Sequence, residues 1–263
     1  IGLSDSSSYC ASDVSAFLPL TRKAIAMEED DLAVLETGQT RIINFRTGQE
    51  LERNVSDIPW SIEDATKGGY GHFMLKEINE QPLAIRNVLR IQPVYCGLMA
   101  SKLEKAGQVF LLGCGTSYHA CLAASYLFTK LAGLQVQPVI ASEFVEQYGH
   151  LIDKDSIILA VSQSGETADT LESVRFAKSK GASIMGITNV MGSTITRLSE
   201  VYIGQNSGPE VGVAATKTFT SQVSVLARLA LVLAEKRNTL PIEELTKLKS
   251  SLLQIPKAME SAL

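Results

Sequence analysis

The chain has 263 residues, 45% of them hydrophobic and 20% charged, with a net charge of -4. That length and balance suit a globular protein with one large domain plus a further piece, or two modest domains, and they exclude the basic face that nucleic-acid binding needs. Four scattered cysteines without C-x-x-C spacing exclude a disulfide framework or a zinc site, and no apolar run is long enough for a bilayer-spanning helix.

Ile1 opens a polar segment, Ser4 to Ser8, with no basic-then-apolar leader, so a cytoplasmic protein is the default expectation. The last residues before Leu263 read as an unfinished helix. Together the two ends suggest a piece of a longer chain. Residues 1–45 read as short strands and turns. Asp31–Leu35 and Arg41–Phe45 flank Thr37-Gly38-Gln39-Thr40, which suits a hairpin with a glycine-bearing loop. This stretch is too short to bury a good core by itself. Residues 46–70, with Pro59-Trp60 and Lys67-Gly68-Gly69, read as a linker. From Phe73 to Leu89 the apolar residues are helically spaced, and Pro82 is expected to end or kink that helix.

Beyond residue 107 the rhythm alternates between strands and helices. Strands are predicted at Gln108–Leu112, Val136–Ile140, Ser156–Val161, Ser183–Thr188 and, more weakly, Glu200–Gly204. Helices are predicted at Ser117–Leu131, Glu166–Lys178 and Val213–Ala234. Such alternation predicts an α/β fold, a parallel sheet with helices on both faces, preceded by a short β-rich remnant. Ligands of these sheets bind outside the carboxyl ends of the strands. Val213–Ala234 is apolar enough to leave surface for another subunit or domain.

Two turns then stand out. Gly113-Cys114-Gly115-Thr116-Ser117-Tyr118 begins like a dinucleotide fingerprint, but Tyr118 occupies the place of the third glycine. No G-x-x-x-x-G-K-[ST] string occurs either. What the two turns share is hydroxyls at a helix start: Thr116 and Ser117 in one, Ser162, Ser164 and Thr167 in the other, with Gly165 between. Unsatisfied N–H groups and partial positive charge at such a start favour an anion, and converging hydroxyl donors suit a phosphomonoester without a metal. Serine and threonine are also common N-caps; two such turns on one sheet bring the phosphate reading level with the capping reading. Glu210 and Lys217 read more readily as surface charges than as catalytic groups, and His72, His119 and His150 are too widely spaced for a metal cluster.

The strings Gly113–Ala120, Ser162–Thr170, Gly186–Asn189 and Gly208–Ala214 resemble the first sugar isomerase (SIS) domain of the glutamine–fructose-6-phosphate aminotransferases, or glucosamine-6-phosphate synthases. Gly71–Ile78 with Glu80-Gln81-Pro82 looks like that family's leading helix, and Ala11-Ser12-Asp13, Ala16–Pro19 and Thr21 like the tail of its glutaminase domain. The resemblance implies a glutaminase remnant at 1–45, a linker at 46–70, the first SIS domain at 71–236 and the start of a connection to a second SIS domain at 237–263. It implies that Thr116, Ser117, Ser162, Gln163, Ser164 and Thr167 bind a sugar phosphate (fructose 6-phosphate, glucose 6-phosphate or glucosamine 6-phosphate). Val213 and Ala215 would lie beside the sugar, although many relatives carry serine at the position of Ala215.

The family's reaction joins ammonia released from glutamine to fructose 6-phosphate and isomerises the product. Here the first residue is Ile1 and not the nucleophilic cysteine, and the family's glutamate, histidine and Schiff-base lysine belong to the later segments. The resemblance therefore implies no catalytic residue in this chain, no cofactor or metal, no nucleic-acid or membrane partner, a homodimer through SIS domains, and no turnover by this chain alone. A sugar-phosphate-sensing module and a stand-alone phosphosugar isomerase are the alternatives.

Overall fold

The computed structural model describes all residues except 13, 59 and 61–65. Asp13 of the glutaminase-like string and Pro59 of the expected linker lie outside the described residues. The chain divides into two compact units, residues 1–76 with 208–212, and residues 77–207 with 213–263.

The first unit holds two small antiparallel sheets. Strands β1 (Gly2–Leu3), β2 (Ser8–Tyr9), β3 (Lys23–Ile25) and, much later, β7 (Val55–Asp57) form one of them, in the order β2-β1-β3-β7. Strands β4 (Asp31–Glu36), β5 (Gln39–Asn44) and β6 (Glu50–Leu51) form the other. The β4–β5 pair is the expected hairpin. Glu36 faces Gln39 across a two-residue loop in which Gly38 takes φ +75, the left-handed backbone such loops need.

Residues 46–70 correct the linker expectation in part, because β6 and β7 lie within them and pair with β5 and β3. Strands of two and three residues have no hydrophobic period to read; backbone pairing with their partners makes them.

Arg53 clasps Asp31 with two hydrogen bonds, Nε to Oδ2 at 2.9 Å and Nη2 to Oδ1 at 2.7 Å. That bidentate bond is the chief reason the Asp31 carboxyl is held below its ordinary range. A depressed folded-state pKa adds stability that is complete above the unfolded value of about 4 and disappears as the pH falls through the folded one. Amide exchange in β4 and β5 is therefore expected to quicken between pH 5 and pH 2 beyond the intrinsic trend. Asp31→Asn should flatten that extra acceleration, and an unchanged profile would remove this clasp from the account.

Helix α1 (Phe73–Leu89) continues through Pro82, so the proline does not end it. Proline leaves the carbonyl four residues back without its N–H partner, and here Gln81 Nε2 donates to the Ile78 carbonyl at 3.1 Å instead.

The second unit is a parallel sheet of five strands, β8 (Gln108–Gly113), β9 (Gln137–Ile140), β10 (Ser156–Ser162), β11 (Ser183–Thr188) and β12 (Val201–Gly204), in the order β12-β11-β10-β8-β9. Alternate strand residues sort onto two faces, as the pleat demands. Val109, Leu111, Ile157, Leu159, Val161, Met185 and Ile187 join one core with helices α2 (Pro93–Leu103), α3 (Thr116–Ala132), α7 (Lys217–Arg237) and α8 (Ile242–Ala262). Phe110, Leu112, Ile158, Ala160 and Ile184 join the other with α4 (Ala141–Tyr148), α5 (Ala168–Ser179) and α6 (Thr194–Leu198). The result is the three-layer α/β architecture the sequence predicts.

The structure corrects the reading of Val213–Ala234 twice. Its helix starts only at Lys217, where Thr220 N–H donates to the Thr216 carbonyl. Val213 is fully exposed, so no packing supports earlier helix. The apolar surface expected to be left for a partner is covered within the chain by α2, α3 and α8. Arg228 adds to that closure by donating to the Val88 and Ile91 carbonyls at the end of α1, at 3.0 and 2.6 Å.

Candidate functional site

Strand β8 lies between β9 and β10, so the chain leaves it to one side and returns on the other. The loops after β8 and β10 therefore open beside each other at the switch point, where sheets of this kind bind ligands. These are the two hydroxyl-bearing turns. Leu112 pairs with Ala160, so the turn that begins at Cys114 sets out alongside Ser162. Cys114 Sγ lies 3.7 Å from Thr170 Oγ1 in α5, tying the first turn to the second turn's helix.

The first turn is set by close approach. A Cβ on Gly113 would lie 2.8 Å from Ser117 C and Tyr118 N, so only glycine lets the start of α3 press against the end of β8. This explains how Tyr118 can replace the third glycine of a dinucleotide loop. The tight packing that the third glycine serves elsewhere falls on Gly113 here. Gly115, the residue before α3, sits at φ 54 and ψ -128 with open space around it, and no side chain caps the helix. Thr116 is exposed, Ser117 is buried, and Gln222 Nε2 of α7 donates to Ser117 Oγ at 3.0 Å.

The second turn is braced from within. Ser162 Oγ accepts from Gly165 N–H at 3.0 Å and shares a hydrogen bond with Thr167 Oγ1 at 3.1 Å. Ser164 Oγ accepts from Glu166 N–H at 3.1 Å. The Gln163 carbonyl takes Asn189 N–H at 3.0 Å and Thr188 Oγ1 at 3.3 Å, which fixes the turn to the end of β11. Gly165 sits at φ +70, and a Cβ there would meet Ser193 Oγ at 2.2 Å and Thr188 Oγ1 at 2.8 Å.

Thr167 occupies the N-cap position of α5 without making a side-chain cap bond. The purely capping reading of these hydroxyls therefore loses its ground at both turns. The carboxylate of Glu166 accepts Thr194 N–H at the start of α6 at 2.7 Å.

Five of the candidate hydroxyls, on Thr116, Ser117, Ser162, Ser164 and Thr167, thus come together with Gln163 on two adjacent turns. Val213 and Ala215 stand in the loop ahead of α7, the first fully exposed and the second half-buried. Lys217 corrects the surface-charge reading, since its side chain is 4% exposed and pairs with Glu80 Oε2 of α1 at 2.5 Å. Gln222 was missed altogether. The signal was available in Lys217, Thr218, Ser221 and Gln222, a polar stripe at helical spacing on a helix whose later buried residues are apolar.

Among the described residues there is no group of three or more His, Cys, Asp or Glu side chains that could hold a metal, and no helix is long and apolar enough to cross a membrane. Burial pushes the thiols of Cys96 and Cys121 upward, so they stay protonated near neutrality.

Residues 102–232, which carry the parallel sheet and its paired hydroxyl turns, match the SIS domain family. Over the whole chain, 39% of residues are identical to a glutamine–fructose-6-phosphate aminotransferase (isomerizing) of Thermococcus kodakarensis, covering 44% of that relative. A relative of the same description from Aquifex aeolicus is 41% identical over 91% of this chain and 40% of its own length. The C-terminal domain of glucosamine-fructose-6-phosphate aminotransferase from Francisella tularensis superposes with a TM-score of 0.66 at 37% identity, over 73% of this chain and 55% of that one. The chain is similar over its whole length to glutamine–fructose-6-phosphate aminotransferases and spans less than half the length of these curated relatives.

Proposed function

We propose that this chain is the sugar-phosphate-holding part of a glutamine–fructose-6-phosphate aminotransferase, which converts fructose 6-phosphate and glutamine to glucosamine 6-phosphate and glutamate. The observation that carries this reading is the pair of uncapped, hydroxyl-rich helix starts at the switch point of the sheet. A phosphate there accepts hydrogen bonds from Thr116, Ser117, Ser162, Ser164 and Thr167, from the side chain of Gln163 and from first-turn N–H groups, with the dipoles of α3 and α5 behind them. The sugar then extends toward Val213 and Ala215. Residues 1–76 are the end of the glutaminase part with its connection, and residues after 236 lead toward a second SIS domain.

The turn hydroxyls are donors and not general bases, which must sit within reach of the proton they move and titrate near the working pH. This chain therefore binds its ligand without turning it over; amination and isomerisation use groups outside it, and neither metal nor cofactor is needed for the grip. We place the protein in the cytoplasm as a homodimer, with exposed Leu83, Val94, Tyr95 and Leu98 on α1 and α2 as apolar surface for the contact.

Calorimetric titration tests the grip. Fructose 6-phosphate is expected to bind and fructose is not. Ser164→Ala combined with Thr167→Ala should weaken binding on the order of a hundredfold, from two hydrogen bonds to a charged oxygen at roughly 1.5 kcal/mol each. An unaltered affinity in the double variant would sink the phosphate assignment.

A further inference from the structure

The buried polar residues of α7 gather in its first turns. Lys217, Thr218, Ser221, Gln222 and Ser224 are all buried, whereas the rest of the buried face is Val225, Leu226, Leu229, Ala230, Leu231, Leu233 and Ala234. Polar groups cost free energy to bury unless they are bonded, so each needs a reason to be there. Lys217 has its ion pair with Glu80, and Ser221 Oγ accepts from Ser207 Oγ at 2.8 Å. Gln222 is different. Its Nε2 donates to Ser117 Oγ at 3.0 Å, while its Oε1 is buried with no hydrogen-bond partner among the described residues. A glutamine kept in an apolar layer with half its amide unsatisfied contributes little to stability; leucine or methionine would fill the same space at less cost.

The bond's direction supplies the reason. A serine hydroxyl has one proton to give and lone pairs to receive. When Ser117 Oγ receives from Gln222, its own proton remains for another acceptor, and no side chain or carbonyl among the described residues takes it. Ser117 is the second residue of α3, at the uncapped end that faces the switch point. We infer that Gln222 is a positioning residue for the sugar-phosphate grip. It holds the Ser117 hydroxyl as a donor, so that the proton points to the phosphate and the lone pairs are occupied from behind. The inference rests on the phosphate reading of the two turns and extends it to a residue, 105 positions away in sequence, that never touches the ligand.

The test is a double-mutant cycle read by titration with fructose 6-phosphate. Gln222→Met keeps the volume and removes the donor; it is expected to weaken binding about tenfold in the parent chain and less than twofold in the Ser117→Ala background. Gln222→Glu reverses the bond, since a carboxylate takes the Ser117 proton. It should weaken binding more than Gln222→Met does, and by at least five times less once Ser117 is alanine. Thermal melting checks that each variant folds, and the Glu variant carries the cycle if the Met variant does not fold. Equal losses in both backgrounds, or no loss in the parent background, would overturn the inference, because a merely structural glutamine does not depend on the Ser117 hydroxyl. A parent chain that binds no fructose 6-phosphate overturns the phosphate reading and this inference together; a binding parent with a flat cycle overturns only the inference.

Discussion

Glu80→Ala is expected to destabilise the second unit by about 3–5 kcal/mol, the usual result of breaking a buried ion pair from one side. The partner left behind is Lys217, whose side chain is 4% exposed, whereas that of Glu80 is 28% exposed. The two halves of the pair should therefore differ. Lys217→Met leaves a carboxylate that still reaches water, and it should cost clearly less than Glu80→Ala. Replacing both, Glu80→Leu with Lys217→Met, should recover most of the loss, since an apolar pair has no charge to desolvate. Urea unfolding of the three variants measures this directly. A Glu80→Ala protein within 1 kcal/mol of the parent would mean that water reaches Lys217 after all. The pair joins α1 to the first residue of α7, so it also sets where the loop carrying Val213 and Ala215 ends.

Gly113→Ala is the other change expected to be severe, and for a different reason. The added methyl group would meet backbone atoms, Ser117 C and Tyr118 N at 2.8 Å, which cannot rotate away as a side chain can. The start of α3 must move off the sheet, at a cost of about 1–3 kcal/mol for an overpacked site. Binding should suffer more than stability, because the moving residues include Ser117 and its bond to Gln222. We expect more than tenfold weaker binding of fructose 6-phosphate. Gly115→Ala is the control: its φ of 54 makes alanine strained, but no atom stands within 4 Å of the added carbon. It should cost on the order of 1 kcal/mol without displacing Ser117. If Gly113→Ala bound as tightly as the parent, close packing of α3 on β8 would not be what places the grip.

The parallel sheet was legible because its strands are short apolar runs separated by helical patterns, and the three central runs are buried on both sides. The two turns were legible because hydroxyls and glycines cluster within a few residues of each strand end. The strands β6 and β7 were not, since two or three residues carry no period and exist only through their pairing, β6 with the neighbouring β5 and β7 with the remote β3. Pro82 misled for a related reason. Proline's penalty is local, but the freed Ile78 carbonyl finds Gln81, a remedy that depends on one side chain's reach.

By itself the sequence determined the three-layer α/β class and the two hydroxyl-rich turns, and it carried the resemblance from which their phosphate role is proposed, because each rests on residues close together along the chain. Only the tertiary structure decided that the turns open side by side, that Gly113 takes over the packing role of the absent third glycine, that Lys217 is a buried partner of Glu80 and not a surface charge, and that Gln222 stands behind Ser117. The physical reason is range. Hydrophobic period and turn chemistry act over a few residues, whereas strand pairing joins groups tens of positions apart, and the Glu80–Lys217 and Ser117–Gln222 bonds join groups more than a hundred apart.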